Sequence, residues 1–455
     1  MLSKTDEDEL LVFFLEALDA AMKSNPDSIS QPDFHNFIEN HLMEVAVTIF
    51  QPIFDEELEE DMMEFIPVVM KNYFRTIMPR RQFRTSFTNK KSSCMTNKRR
   101  AYLTEKINYL RSIPQPEQRT NDWYLFRHNL LTASNAWKGL SSEKLRNSLI
   151  YEKCCPIDTE KYAKVAMDSP FHWGTKYEPL SVQFYEHMYA TKVEDFGCIQ
   201  DQKHSFLGAS PDGINVCPKS DRYGRMLEIK NRFSDAVPIT GIPKRDYWIQ
   251  MQLQMNVCEL NECDFLETRF IEYEDEEAFL LDVPATSETH IQLQTQTQTE
   301  PVLEPEPEQE QKLNPFQYNN DCKRKGIVMC FFENGKPLYL YPPWEITEPD
   351  YKTWEVQQFE EQEAKGNIWV KNLYWYLSKY SCVLVLRNKI WFTWAAQTLS
   401  DVWNTIETER DTGYEHRAPK KRERTSSNPN PKAKSKGNYN DSEVKGLLGH
   451  GVCLI

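Results

Sequence analysis

The stretch GASPDGINVCPKSDRYGRMLEIKNR, residues 208–232, constrains the fold more than any other part of this chain. Ser210-Pro211-Asp212-Gly213 is turn chemistry, because proline presets φ and glycine accepts the positive φ that tight turns often need. Met226 to Lys230 reads as a short strand. Side chains alternate along a strand, so Glu228 and Lys230 share one face while Leu227 and Ile229 take the other, toward a core. A hairpin that buries one face and sets Asp212, Glu228 and Lys230 together is either a solvated edge or a site.

Charge decides which partners such a site could serve. The net charge of −14 looks wrong for a protein that meets a polyanion, but it is unevenly spread. Residues 1–70 hold 17 acids and 2 bases, and residues 272–311 hold 12 acids and no base. Residues 71–100 hold ten Lys or Arg and no acid. The acidity therefore belongs to appendages, and an anionic partner is not excluded. No apolar run approaches the roughly 20 residues a membrane helix needs, and no secretory signal opens the chain. The 11 cysteines form no paired CxxC units, which argues against zinc and against a disulfide framework. These features point to an intracellular, non-secreted protein.

Composition divides the chain into segments. Residues 1–78 carry three stretches with apolar residues at helical spacing and read as an acidic helical domain. Residues 79–100 read as a basic linker, more suited to contacting nucleic acid than to packing. Residues 101–412 read as a mixed α/β domain, interrupted at about 276–320 by a Gln, Thr, Pro and Glu segment that cannot bury a core. After that insertion, GIVMCFFENGKPLYLYP predicts a hairpin turning at Asn334-Gly335. A strand leading into an amphipathic helix follows. Residues 413–455 read as a basic disordered tail, with PKKRER at 419–424 as a candidate nuclear-import signal.

A third carboxylate joins the hairpin. Residues 171–190 place Trp173, Tyr177, Leu180 and Phe184 at helical intervals, with Glu178 beside that apolar stripe. Clustered oxygen ligands beside a cation are what divalent-metal phosphoester chemistry requires. Asp212 and Glu228 could hold Mg²⁺ with the Ile229 carbonyl as a neutral ligand, and Lys230 could orient an attacking water. The plain alternative is a salt bridge on an exposed strand, the commoner meaning of a lone Asp followed by Glu-x-Lys.

Five stretches taken in order change that balance. DWYLFRHNLLTASNAW, WGTKYE, GASPDG, LEIKNR and DYWIQMQLQMNV together resemble the phage lambda exonuclease or YqaJ viral recombinase branch of the PD-(D/E)xK nuclease superfamily. The resemblance implies an α/β fold with a restriction-endonuclease-like core, a central mixed sheet flanked by helices, here with an N-terminal helical domain added. It implies Glu178, Asp212, Glu228 and Lys230 as catalytic residues, and Arg127 and Ser134 as a pocket for the 5′ phosphate of a DNA end. Gln250 and Gln252 would sit on a helix beside the metal and help position the reactants. The expected activity is Mg²⁺-dependent 5′-to-3′ exonuclease action on double-stranded DNA ends, with Mn²⁺ as a substitute ion, in viral-type recombination, repair or genome processing at a nuclear or cytoplasmic replication site. A single-strand annealing protein is the partner this implies. The acidic N-terminus and the insertion leave the choice between monomer and ring-shaped trimer open. Two other readings also stand at this point: a structure-selective endonuclease on the same fold, and a non-catalytic factor that grips DNA ends.

Overall fold

The computed structural model describes residues 4–30, 34–51, 54–76, 83–84, 95–116, 120–157, 169–234, 239–284 and 313–419. Its centre is a mixed sheet. Ordered from one edge, the strands are Lys336–Leu340, Lys325–Glu333, Ile368–Leu386, Glu262–Glu272, Met226–Asn231, Gly213–Asn215 and Val193–Glu194. Met226–Asn231 runs parallel to Glu262–Glu272, pairing Glu228 with Phe265, and antiparallel to Gly213–Asn215, pairing Leu227 with Gly213. The predicted hairpin is therefore present, but its second strand is interior to the sheet. It is not a solvated edge, and Glu228 is 0% exposed.

Helices cover both faces of the sheet. Pro170–Met188, capped by Ser169 with proline at its first turn, lays Tyr177, Leu180 and Phe184 against Leu227, Ile229, Leu266 and Phe270. Pro179 stands inside this helix directly after Glu178 and has no N–H to return to the preceding turn. On the other face the glutamine helix, Arg245–Val257, buries Trp248, Ile249, Met251, Leu253 and Met255 in a core shared with Met226, Phe265 and Val385. The hairpin at Asn334-Gly335 forms as expected, both residues taking the positive φ that such a two-residue turn demands. The long strand Ile368–Leu386 then leads into the helix Lys389–Thr412.

Several predicted boundaries move. The three N-terminal helices, Lys4–Ser24, Phe34–Phe50 and Glu56–Thr76, are present, but they do not form a separate module. Phe14, Ile38 and Tyr73 belong to the same continuous core as Trp248, Trp391 and Leu399. Arg245, at the start of the glutamine helix, is bonded to Asp27, Ser30, Ser141 and the Leu140 carbonyl, locking that junction. Within the expected linker 79–100, Phe83 and Arg84 pair with Leu384 and Val383, and residues 97–100 open the helix Asn97–Ser112, capped by Thr96. The rest of that linker's basic run, 79–82 and 85–94, lies outside the described residues. The predicted insertion also starts too early, because Glu276–Leu281 is a helix that buries Phe279 against Ile327 and Tyr351. At its far end, residues 313–320 are ordered too, and 285–312 lie outside the description. The predicted tail begins with ordered chain at 413–419, where Arg417 bonds Glu409, while 420–455 lie outside the description. No helix among the described residues is long and apolar enough to cross a membrane.

Candidate active site

The expected tight turn is not formed: Ser210–Asp212 is a bend between the strands Leu207–Ala209 and Gly213–Asn215, and Gly213 has no positive φ but leaves room for Val193. This bend brings Asp212 beside the strand that carries the other charges. One Asp212 carboxylate oxygen, Oδ2, accepts from the Ile229 backbone N–H at 2.7 Å. One residue to either side, Lys230 Nζ donates to Glu228 Oε1 at 2.5 Å, and both side chains leave the strand on the same face, as alternation requires. The ammonium also lies 5.0 Å from the ring centre of Tyr247. Burial together with the charges of Glu228 and Glu178 pushes the Asp212 carboxyl well above its usual range, although Lys230 and the Ile229 N–H pull the other way. Burial would lower the Lys230 pKa, but the Glu228 and Asp212 carboxylates outweigh it and hold the value above that of ordinary lysine. In the metal-free centre Lys230 is thus a cation that donates to Glu228.

The glutamine helix supplies a residue that sequence reasoning passed over. Gln254 Nε2 donates to Glu228 Oε2 at 2.7 Å and points at the Ser210 carbonyl at 3.4 Å. Gln250, one turn earlier on the same helix face, is 6% exposed. Gln252 does not reach the site. Two residues along a helix is about 200°, so it faces away from Gln254, and its amide instead bonds the Leu386 carbonyl and the Asn388 N–H. Its place is a structural clamp between this helix and the connection entering Lys389–Thr412.

Arg127 and Ser134 do come together. Thr132 and Gly208 pair in a small parallel ladder, which sets Ser134 and Ser210, each two residues further on, side by side. Arg127 bridges them, Nη1 donating to Ser210 Oγ at 2.8 Å and Nη2 to Ser134 Oγ at 3.1 Å. Its guanidinium stacks 4.4 Å from the centre of Trp123. Beneath it Lys153 Nζ donates to the Arg127 carbonyl at 2.8 Å, and Arg410 in turn donates to the Lys153 carbonyl. The planar guanidinium of Arg127 and the two serine hydroxyls it bridges form a donor set that suits a phosphate. Ser210 was missed for a simple reason: its hydroxyl role depends on a pairing between strands 76 residues apart.

Among the described residues no three His, Cys, Asp or Glu side chains come together as a metal cage. Glu178 is half-buried and acts on Asp212 through its charge; it does not complete a three-carboxylate cluster. The chain's own share of a cation site is the Asp212 and Glu228 carboxylates with the Ile229 carbonyl. That set fits Mg²⁺, which binds through one or two carboxylates and retains water at its other positions. The crowding of like charge around Asp212 is what a cation would relieve. A separate cavity of about 250 Å³, lined by Asn256, Glu259, Arg387 and Phe392, contributes no residue to this centre.

The fold and the site thus define a two-carboxylate and lysine centre at a sheet hairpin, joined through the bend Ser210–Asp212 to the pocket of Arg127 and its two serines. Residues 122–261 match the YqaJ-like viral recombinase domain, and this segment contains every residue of the centre and Arg127, Ser134 and Ser210 of the pocket. The resemblance carried by the five sequence stretches is borne out. The chain is similar to an uncharacterized protein, R354, of Acanthamoeba polyphaga mimivirus, 28% identical over 332 residues, or 66% of this chain. It spans about half of that relative, 54% of its length. Among solved structures, an alkaline exonuclease from Laribacter hongkongensis overlaps 64% of this chain and 95% of its own, at 15% identity and a TM-score of 0.35. The same enzyme in complex with dAMP gives 16% identity, the same coverage and a TM-score of 0.34.

Proposed function

We propose that this chain is a divalent-metal-dependent deoxyribonuclease that degrades duplex DNA from its ends in the 5′-to-3′ direction, with Mg²⁺ as the working ion and Mn²⁺ as its substitute. One observation carries the reading: Ser210 and Asp212 stand two residues apart in a single bend between strands, the first bonded to Arg127 and the second to the strand of Glu228 and Lys230. A phosphate gripped by Arg127, Ser134 and Ser210 therefore lies next to the carboxylates, so the terminal phosphate and the phosphodiester to be cut are read by one rigid element.

Each residue has a defined part. Arg127 supplies bidentate recognition of a phosphate dianion, held in plane by Trp123. A bound divalent cation neutralises the phosphodiester and acidifies water. Asp212, Glu228 and the Ile229 carbonyl are the groups that would hold it. Lys230, bonded to Glu228 on the same strand face, is placed to orient the attacking water and to offset negative charge developing on the phosphate. Glu178 adds negative potential beside Asp212, favouring cation capture. The match of residues 122–261 to the YqaJ-like viral recombinase domain supports an action on DNA by the segment that carries these residues.

The test is degradation of linear duplex DNA by the purified chain with Mg²⁺, with Mn²⁺ and with a chelator, alongside Asp212→Ala. Degradation with either ion and none in chelator or in the variant is expected. Persistence of cutting in chelator would overturn the metal-centred reading.

A further inference from the structure

We infer that Gln254 is a positioning residue for Glu228, setting the orientation in which that carboxylate meets a divalent cation; the inference rests on the metal-centred reading above. Gln254 and Glu228 are both 0% exposed. The two Glu228 oxygens are held separately, Oε1 by the Lys230 ammonium and Oε2 by the Gln254 amide. A carboxylate with one donor can still turn about its last torsion, which is broad and weakly restrained. Two donors arriving from different elements, a strand and a helix, fix its plane.

The chemistry of the amide suits this task. A carboxylate only accepts, so the NH₂ end of Gln254 must face Glu228 and its oxygen must face away. That oxygen has no hydrogen-bond partner among the described residues, an arrangement that is unfavourable when nothing relieves it. A neutral donor also leaves the charge of Glu228 available to a cation, whereas a lysine or arginine there would compete for it. The same NH₂ reaches toward the Ser210 carbonyl, so one side chain connects the glutamine helix, the metal carboxylate and the bend bearing Asp212. Gln252, equally buried, makes no such contact and provides the internal control.

The experiment is calorimetric titration of the whole chain with Mn²⁺, without DNA, for the unmodified protein, Gln254→Met, Gln254→Asn and Gln252→Met, each with a metal-free melting curve. Outer groups that orient metal ligands typically govern affinity by 10–100-fold. Both Gln254 variants are expected to bind Mn²⁺ about 10–100-fold more weakly, the asparagine because it is one methylene too short to reach Glu228. Gln252→Met is expected to lose thermal stability at unchanged Mn²⁺ affinity. Unmodified binding in either folded Gln254 variant would overturn the inference while leaving the metal-centred reading intact. No binding by the unmodified chain would overturn both.

Discussion

Lys153 offers a prediction whose size can be worked from the structure. The side chain is buried, 4% exposed, and its ammonium donates to the Arg127 carbonyl. Burial, with the charges of Arg127 and Arg410 added and only partly offset by Glu152, pushes its pKa down from the ordinary 10.5 to about 7. Between those values the unfolded chain holds a proton that the folded chain has released. Stability therefore rises with pH across that window, by about 1.4 kcal/mol per unit. From pH 7 to pH 9 the folded state should gain about 2–3 kcal/mol from this group, and below pH 7 its contribution should stay flat at its least favourable level. The window is separate from that of His128, whose pKa, lowered to about 4 by burial and by Lys153, confines its own stabilising rise to the acid side of 6.5. Lys153→Met keeps the length of the side chain and gives up one hydrogen bond, worth about 1 kcal/mol. The assay is urea denaturation at pH 7, 8 and 9 in the absence of metal, with stability taken from midpoint and slope. Lys153→Met should lose the climb between pH 7 and 9 that the unmodified protein shows. Parallel pH profiles for the two proteins would refute the reasoning, since Lys153 would then titrate alike folded and unfolded.

Other expectations follow from named contacts. Lys230→Ala should lower the rate of DNA degradation by on the order of a hundred- to a thousandfold, while its circular dichroism spectrum stays that of the unmodified chain; near-normal rates would remove Lys230 from the chemistry. Arg245→Met should cost about 3 kcal/mol or more in denaturant unfolding, because it strips Asp27 of its ion partner at the junction of the N-terminal helices with the glutamine helix. An unchanged midpoint would mean that the apolar core alone holds that junction. Phe279→Ala should destabilise the protein by about 3–5 kcal/mol, as a buried ring next to Ile327 and Tyr351 would, and a loss below 1 kcal/mol would return residues 276–281 to the expected loop.

Much of the centre was legible because its logic is local. The alternation of Glu228 and Lys230 and the helix bearing Glu178 follow from periods of 2 and 3.6 residues. What could not be read was which way each element faces once packed. Three glutamines at alternate positions on a helix cannot share a face, yet nothing in the sequence says whether Gln254 or Gln252 meets Glu228. Ser210 joins the Arg127 pocket only because Leu207–Ala209 pairs with Leu131–Thr132, a contact between distant segments. The acidic N-terminus suggested an independent module, since composition reports charge on the exposed faces. The shared core of Phe14, Ile38 and Trp391 is a matter of packing. Phe279 shows the same limit at small scale: one aromatic in an acidic run was enough to order a helix that composition assigned to disorder.

The central claim is that the Arg127 pocket and the Asp212, Glu228 and Lys230 centre act as one device on a DNA end. The most direct measurement compares Mg²⁺-dependent degradation of three DNAs: a linear duplex with 5′ phosphates, the same duplex with 5′ hydroxyls, and a closed circle. The account predicts fastest loss of the phosphorylated duplex and almost none of the circle, with Arg127→Ala erasing the difference between phosphate and hydroxyl ends while residual cutting survives. Equal attack on circles and linear ends by the unmodified protein would contradict it, and would mark the chain as an endonuclease built on the same fold.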